Sequence, residues 1–198
     1  QLGRASPTMV DAMAIDIQDN IPLAPYTVFK IGGRARFFVE IKSGEELCEA
    51  LAFAMAKGLP FFVAGAGSNI LVSDKGFGGL YIKNSANRLE VNGEKIFCES
   101  GAMMPYLAAE ASKNGLAGFE WGIGVPGTVG GSVRGNAGCF GSETKDVVQS
   151  VEAFDTKQGR ARTFSNEECQ FGYRDSFFKH NPGLVVLSAA LALKKGDE

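Results

Sequence analysis

The chain has 198 residues, 45% of them apolar and 10% aromatic, enough for one sizeable globular body or two small ones packed together. A net charge of −2 gives no reason to expect nucleic acid or an anionic membrane surface as a partner. No apolar run approaches the ~20 residues of a membrane span, and the N-terminus lacks the layout of a signal peptide.

In chain order, residues 1–19 (QLGRASPTMVDAMAIDIQD) show no sustained period, and QLGRASPT reads as an appended, non-native stretch. NIPLAPYTVFKIGG, with two prolines and a glycine pair, reads as an ordered loop, and ARFFVEI as a strand. Ser43 and Glu46 have the spacing of a capping box. The helix behind it carries Leu47, Ala50, Leu51, Ala54 and Met55 on one face and stops at Gly58. LPFFVAG predicts a buried strand, followed by short strands at ILVS and GLYIKN. RLEVNGEKIFCES predicts a hairpin with Asn92-Gly93 as a type I′ turn. A second helix runs from about Met103 to Lys113 and closes at Asn114-Gly115. A glycine-rich segment, a second hairpin (VVQSVEAFDTKQGRARTFS), a helical turn at NEEC, an irregular FGYRDSFFKH and a buried strand LVVLSAALAL complete the order. Strict βα alternation is missing, so the pattern predicts an α+β fold rather than a doubly wound sheet. Two lobes are expected, 20–86 and 87–198, with the break near Ser85–Arg88.

Glycine is the compositional anomaly: 26 residues, nearly twice the usual ~7%, and clustered. One cluster follows a predicted strand as Gly65-Ala66-Gly67-Ser68-Asn69. Small residues there let consecutive N–H groups converge on an anion, while Ser68 and Asn69 add side-chain donors. A tight strand-to-strand turn is the other reading. Ile70 stands where a dinucleotide fingerprint of the G-x-G-x-x-G type needs glycine, and no Gly-Lys-Ser/Thr follows. The second cluster, GVPGTVGGSVRGNAG, holds six glycines between Gly124 and Gly138. Pro126 is placed to start a helical turn with Gly127 and Thr128 offering free N–H groups. Gly130 and Gly131 would let backbone lie against a flat ring or a phosphate, and Asn136 would meet a ring edge. Close helix packing is the alternative. In FGYRDSFFK, Arg174 among aromatics suits capture of a carboxylate or phosphate, unless it pairs with Asp175.

The four cysteines (Cys48, Cys98, Cys139, Cys169) have no C-x-x-C spacing, and they read as free thiols. The lone histidine, His180, reads as a solvated surface residue, so neither a metal site nor histidine-dependent nucleophilic catalysis is expected.

NIPLAPYTVFKIGG, VAGAGSNILVSDKGFGGLYIKN, GLAGFEWGIGVPGTVGGSVRGNAGCFGSE and FGYRDSFFK, in this order and spacing, resemble the UDP-N-acetylenolpyruvoylglucosamine reductase family. The resemblance runs from about Asn20 to Leu193. It implies a two-lobe FAD-binding fold of the vanillyl-alcohol-oxidase/PCMH type, non-covalent FAD, NADPH as hydride donor, a UDP-sugar substrate and a role in bacterial cytoplasmic peptidoglycan synthesis. Gly65, Gly67, Ser68 and Asn69 would wrap the FAD pyrophosphate, with Ala66 among them. Gly127, Thr128, Gly130, Gly131, Asn136 and Gly138 would line the flavin and the rest of the cofactor. Tyr173 and Arg174 match the family's substrate-binding pair, Arg174 being its active-site arginine. The family continues beyond the point matching Glu198 into a substrate domain that supplies a proton-donating serine and a late glutamate. Ser176 and Ser188 do not stand in that serine's context. FAD binding without complete turnover is therefore expected of this chain, and a stand-alone flavin carrier or sensor is the alternative.

Overall fold

The computed structural model describes residues 15–196. The first sheet comprises β1 (Gln18–Pro22), β2 (Arg34–Ile41), β3 (Phe61–Ala64) and β4 (Phe77–Asn84) in the order β1-β2-β4-β3. β2 and β3 run parallel to β4, and β1 is an antiparallel edge. Part of the predicted loop at Asn20 is thus strand. Pro22 is tolerated because it ends an edge strand, and Arg34 Nε fastens that edge by donating to Asn20 O and Oδ1. ILVS is irregular rather than a strand: residues 65–76 form the whole β3–β4 connection, held at Ser73, whose carbonyl accepts from Gly33 and Gly76. β3 is not buried either, since it lies at the sheet edge with Phe62 exposed.

Between β2 and β3 runs α1 (Gly44–Ala56). Ser43 Oγ accepts from Glu46 N, but the reciprocal arm reaches one residue further back, Glu46 Oε2 accepting from Lys42 N at 2.6 Å. Leu47, Ala50, Leu51 and Ala54 are fully buried, whereas Met55 is exposed. One face of α1 alone does not explain that burial. The helix is clasped between two sheets, and its cluster includes Val39, Ile41, Leu80 and Ile82 of the first with Phe154, Val185 and Leu187 of the second.

The second sheet contains β5 (Leu89–Asn92), β6 (Lys95–Glu99), β10 (Val148–Asp155), β11 (Arg160–Ser165) and β12 (Leu184–Ala192), ordered β11-β10-β12-β6-β5 and antiparallel throughout. Asn92 pairs with Lys95, so the hairpin's central residues are Gly93 and Glu94. Only Gly93 has positive φ, 58°, which suits a II′ rather than a I′ turn. β12 is central and covered on both faces, hence its near-continuous apolar run. Val185 and Leu187 face the cluster around α1, while Val186, Ala189 and Leu191 belong to the core under α2 (Met104–Lys113) and α3 (Val129–Gly135).

The remaining pieces are short: β7 (Leu116–Ala117) pairs with β13 (Lys194–Lys195), β8 (Gly138–Cys139) with β9 (Ser142–Glu143), and α4 (Phe177–His180) precedes β12. The change of sheet falls between Asn84 and Leu89. There Asn84 Nδ2 donates to Ser100 Oγ, and the Glu99 carboxylate accepts from Gly44 N and Arg88 N, both at 2.9 Å. Among the described residues no helix is long and apolar enough to cross a membrane, and no three metal-ligating side chains cluster.

Candidate cofactor site

The carboxyl ends of parallel strands are where open sheets bind ligands, and Gly65–Asn69 emerges there from β3. Among the described residues, the N–H groups of Ala66, Gly67, Ser68 and Asn69 meet no protein acceptor, and the Ser68 and Asn69 side chains make no hydrogen bond. Such idle donors in one loop fit an anionic oxygen ligand. Gly67 is required twice over: its φ is +71°, and a Cβ there would collide with Tyr26 O. Its carbonyl accepts from Val28 N at 3.0 Å, which fixes the loop from behind.

The two glycine segments face each other. A Cβ on Gly65 would overlap the Thr128 side chain, and Ser68 Oγ lies 3.9 Å from the place of a Cβ on Gly127. The helical turn starts at Val129 rather than at Pro126. Gly127 N–H folds back onto Val125 O, while Val129 and Gly130 donate to Ala102 O and Ser100 O. The free donors of this segment therefore include the N–H groups of Thr128 and Gly131 and the hydroxyls of Thr128 and Ser132. Gly130 serves packing, since its Cβ would lie 2.9 Å from Ser100 Cβ; Gly131 is exposed. Gly138 closes the β8–β9 hairpin, where a Cβ would sit 2.5 Å from Ser142 O.

Asn136 caps α3 at φ 42° and is 1% exposed. Its Nδ2 donates to Gly172 O (2.8 Å) and Glu143 Oε2 (3.1 Å), and its Oδ1 accepts from Lys145 N (3.0 Å). Both amide protons are spent on the protein, so the ring-edge donor expected of Asn136 has no free hydrogen. What the residue does instead is tie α3 to the Gly172–Asp175 turn.

That turn carries Tyr173 and Arg174, both exposed, with Arg174 at φ 53°. The aromatics do not cage the guanidinium, because Phe171, Phe177 and Phe178 pack into the core beneath the turn. Nor does Arg174 pair with Asp175, whose carboxylate takes His180 Nε2 at 2.7 Å; His180 is exposed but not free of partners. Arg174 is held by backbone alone, through Lys179 Nζ on its carbonyl and Ser176 Oγ on Arg134 O. It borders a cleft of about 490 Å³ with Tyr173, Cys139, Phe140, Glu143 and Lys145. A second cleft of about 270 Å³ is lined by Lys83, Asn84, Gly101, Met103, Tyr106 and Thr128. α3 spans the distance between the two, about 10 Å at 1.5 Å per residue. Sequence reasoning passes over the carbonyls of Ser100 and Ala102 and over Lys83, whose signal is a charge set in the apolar run of β4.

Burial pushes the thiols of Cys98 and Cys169 up to about 12, so neither is a thiolate near neutrality. Five carboxyls are shifted the other way, Glu45 and Glu120 chiefly by backbone N–H donors in their own turns. The Lys145 ammonium lowers Glu143, and the His180 hydrogen bond lowers Asp175. At Asp155 burial acts upward, but the N–H groups of Gln158 and Lys157 and the Arg162 guanidinium outweigh it. Each is more acidic folded than unfolded, so the unfolded chain binds more protons at low pH. Their stabilisation is complete above the ordinary carboxylate range of about 4 and disappears as pH falls through the lowered folded values. Thermal unfolding midpoints are expected to stay level from neutrality to about pH 5 and fall below it, with a shallower fall in Asp155→Asn.

A family profile described as FAD binding domain matches residues 35–165, which contain both glycine segments and stop short of Arg174. UDP-N-acetylenolpyruvoylglucosamine reductase of Carboxydothermus hydrogenoformans is 42% identical over 92% of this chain and 60% of its own length. The Lactobacillus delbrueckii subsp. bulgaricus protein of the same name is 39% identical over 94% and 63%. The chain thus spans about three fifths of the length of these relatives. Among solved structures, UDP-N-acetylenolpyruvylglucosamine reductase from Thermus caldophilus superposes with a TM-score of 0.77 at 32% identity, covering 93% of this chain and 64% of that one. Glucooligosaccharide oxidase from Acremonium strictum shares the fold alone, with a TM-score of 0.66 at 17% identity over 94% of this chain and 42% of that one. With the α+β arrangement, the paired glycine loops and these matches together, the chain belongs to the FAD-binding domain family, in the form carried by the UDP-N-acetylenolpyruvoylglucosamine reductases.

Proposed function

We propose that this chain holds FAD for the NADPH-dependent reduction of UDP-N-acetylglucosamine enolpyruvate to UDP-N-acetylmuramate, a step of peptidoglycan synthesis in the bacterial cytoplasm. The observation that carries the reading is the meeting of the idle N–H groups at Ala66–Asn69 with Thr128, on a helix whose other end is tied to the Arg174 turn. The residues present fit the cofactor. The amides and the Ser68 and Asn69 side chains bind its diphosphate, the Thr128 and Gly131 N–H groups add donors, and Gly127 and Gly131 leave room for its close approach. Bound FAD supplies two-electron hydride chemistry. Arg174, exposed and unpaired beside the larger cleft, grips the enolpyruvyl carboxylate and stabilises the negative charge that reduction places next to it. Tyr173 flanks that carboxylate.

The test is a spectrum of the purified protein, supplied with FAD, before and after denaturation. About one equivalent of flavin released on unfolding and separable from the chain supports non-covalent FAD binding; no flavin retained after incubation with excess FAD sinks it. Bleaching by NADPH and recovery of the yellow colour on adding the enolpyruvyl substrate then supports the reductase. A flavin that NADPH leaves oxidised favours a holding module without reduction.

A further inference from the structure

Lys83 is the charge that the reading above does not use. In β4, Leu80, Tyr81, Ile82 and Asn84 are buried, and Lys83 is half-buried at the carboxyl end of the strand. Removing an ammonium from water is unfavourable unless partners replace the lost hydration. Its cross-strand neighbours are Glu40 on β2 and Ala64 on β3. Glu40 is within reach in register, yet its carboxylate takes the Ser85 hydroxyl at 2.6 Å. Lys83 Nζ turns the other way and donates to Gly65 O, also at 2.6 Å.

This places the ammonium against the first residue of the glycine loop and on the wall of the cleft that Thr128 lines. One of its three protons is engaged by the protein. Residues 65–69 carry no formal charge of their own, whereas a dinucleotide's diphosphate carries about two negative charges that amide dipoles only partly offset. Burial lowers the Lys83 pKa, and the Glu40 carboxylate opposes that shift without cancelling it.

We infer that Lys83 is the cation that neutralises the diphosphate of the dinucleotide held by Gly65–Asn69, an inference that rests on the FAD reading. It also holds Gly65 O, so loop position and ligand charge are coupled through one side chain.

The test compares the parent protein, Lys83→Met and Lys83→Arg by fluorescence titration with FAD and with riboflavin over a range of ionic strength. Thermal unfolding of the ligand-free proteins reports folding. Lys83→Met is expected to weaken FAD about tenfold at low salt and to flatten the salt dependence of binding. Lys83→Arg retains most of the affinity, and riboflavin, which has no diphosphate, binds parent and Lys83→Met alike. FAD affinity within twofold of the parent in a folded Lys83→Met overturns the inference. So does an equal loss for riboflavin, which would assign Lys83 to loop structure alone. Should Lys83→Met fail to fold, the same titrations on Lys83→Gln decide by the same criteria. A parent protein that binds no FAD brings down the cofactor reading, and this inference with it; a parent that binds while the neutral variants match it brings down this one only.

Discussion

Alanine in place of Gly65 is expected to weaken FAD binding by about one to two orders of magnitude while leaving the secondary structure in place. Gly65 has an ordinary backbone conformation, so alanine itself is permitted there; the conflict lies in what its methyl meets. That methyl overlaps the Thr128 hydroxyl and approaches Cγ2 and Cβ of the same side chain at 2.8 and 3.0 Å. Thr128 has little room to yield, being buried and anchored by its neighbours: Gly127 O accepts from Met104 N, and Val129 N donates to Ala102 O. Relief comes from moving the loop after β3 away from α3, which pulls apart the two segments proposed to hold FAD. Overpacking of this kind costs about 1–3 kcal/mol, and a tenfold loss in affinity corresponds to about 1.4 kcal/mol. Removing the obstacle checks the cause. Thr128→Gly deletes all three contacting atoms, and glycine is acceptable at a helix N-cap. FAD dissociation constants for the parent, Gly65→Ala, Thr128→Gly and the double variant form a cycle, and the double variant should bind more tightly than the two single losses combined. Additive losses would mean that the two residues do not meet, and the facing of the loops would go with them.

The order of elements was legible in the sequence because most of them obey local rules. Ser43 and Gly58 bracket α1, Asn114-Gly115 ends α2, and both long hairpins are marked, although the turn of the first is displaced by one residue to Gly93-Glu94. Misreadings occur where long-range partners decide. The edge strand at Gln18–Pro22 contains a proline and exists because β2 offers it a ladder. The apolar residues of ILVS suggest a strand, but at the end of β3 the chain turns through the glycine loop and Leu71 is left in solvent. The same distinction applies to the site. A glycine cluster in a sequence shows that side chains are unwelcome, without showing what excludes them. At Gly130 and Gly138 the excluding atoms belong to the protein; at Gly127 and Gly131 the nearest protein atoms leave an ordinary contact distance or more. Asn136 was legible as an important polar residue, whereas its partners at Gly172 and Lys145 are set by tertiary structure.

Asn136→Ala should be among the most destabilising single changes in the chain, by about 3–5 kcal/mol. Two costs combine. At φ 42° an alanine is strained by about 1–2 kcal/mol, where asparagine is among the side chains that visit this region. Deleting the amide then leaves Gly172 O, Glu143 Oε2 and Lys145 N each without a partner it now has, and a buried polar group left unpaired costs about 1–3 kcal/mol. Asn136→Gly separates the terms, because it relieves the dihedral and keeps the loss of hydrogen bonds; its stability should lie between the parent and Asn136→Ala. Asn136→Asp probes the sign of the partners. A carboxylate can still accept from Lys145 N but faces the Gly172 carbonyl and the Glu143 carboxylate, where donors stood before. At neutral pH it should be no better than Asn136→Gly, and it should regain ground on the parent as pH falls through the carboxylate range. Denaturant unfolding of the four proteins at pH 7 and near pH 4 gives this order. The functional consequence follows from position, since the peptide that loses its anchor at Gly172 directly precedes Tyr173 and Arg174. Proteolysis in the 172–175 turn should therefore increase in all three variants, Asn136→Gly included, under conditions where each remains folded. Equal protection of that turn in parent and variants would show that Asn136 stabilises α3 alone and leaves the arginine to be placed by Lys179 and Ser176.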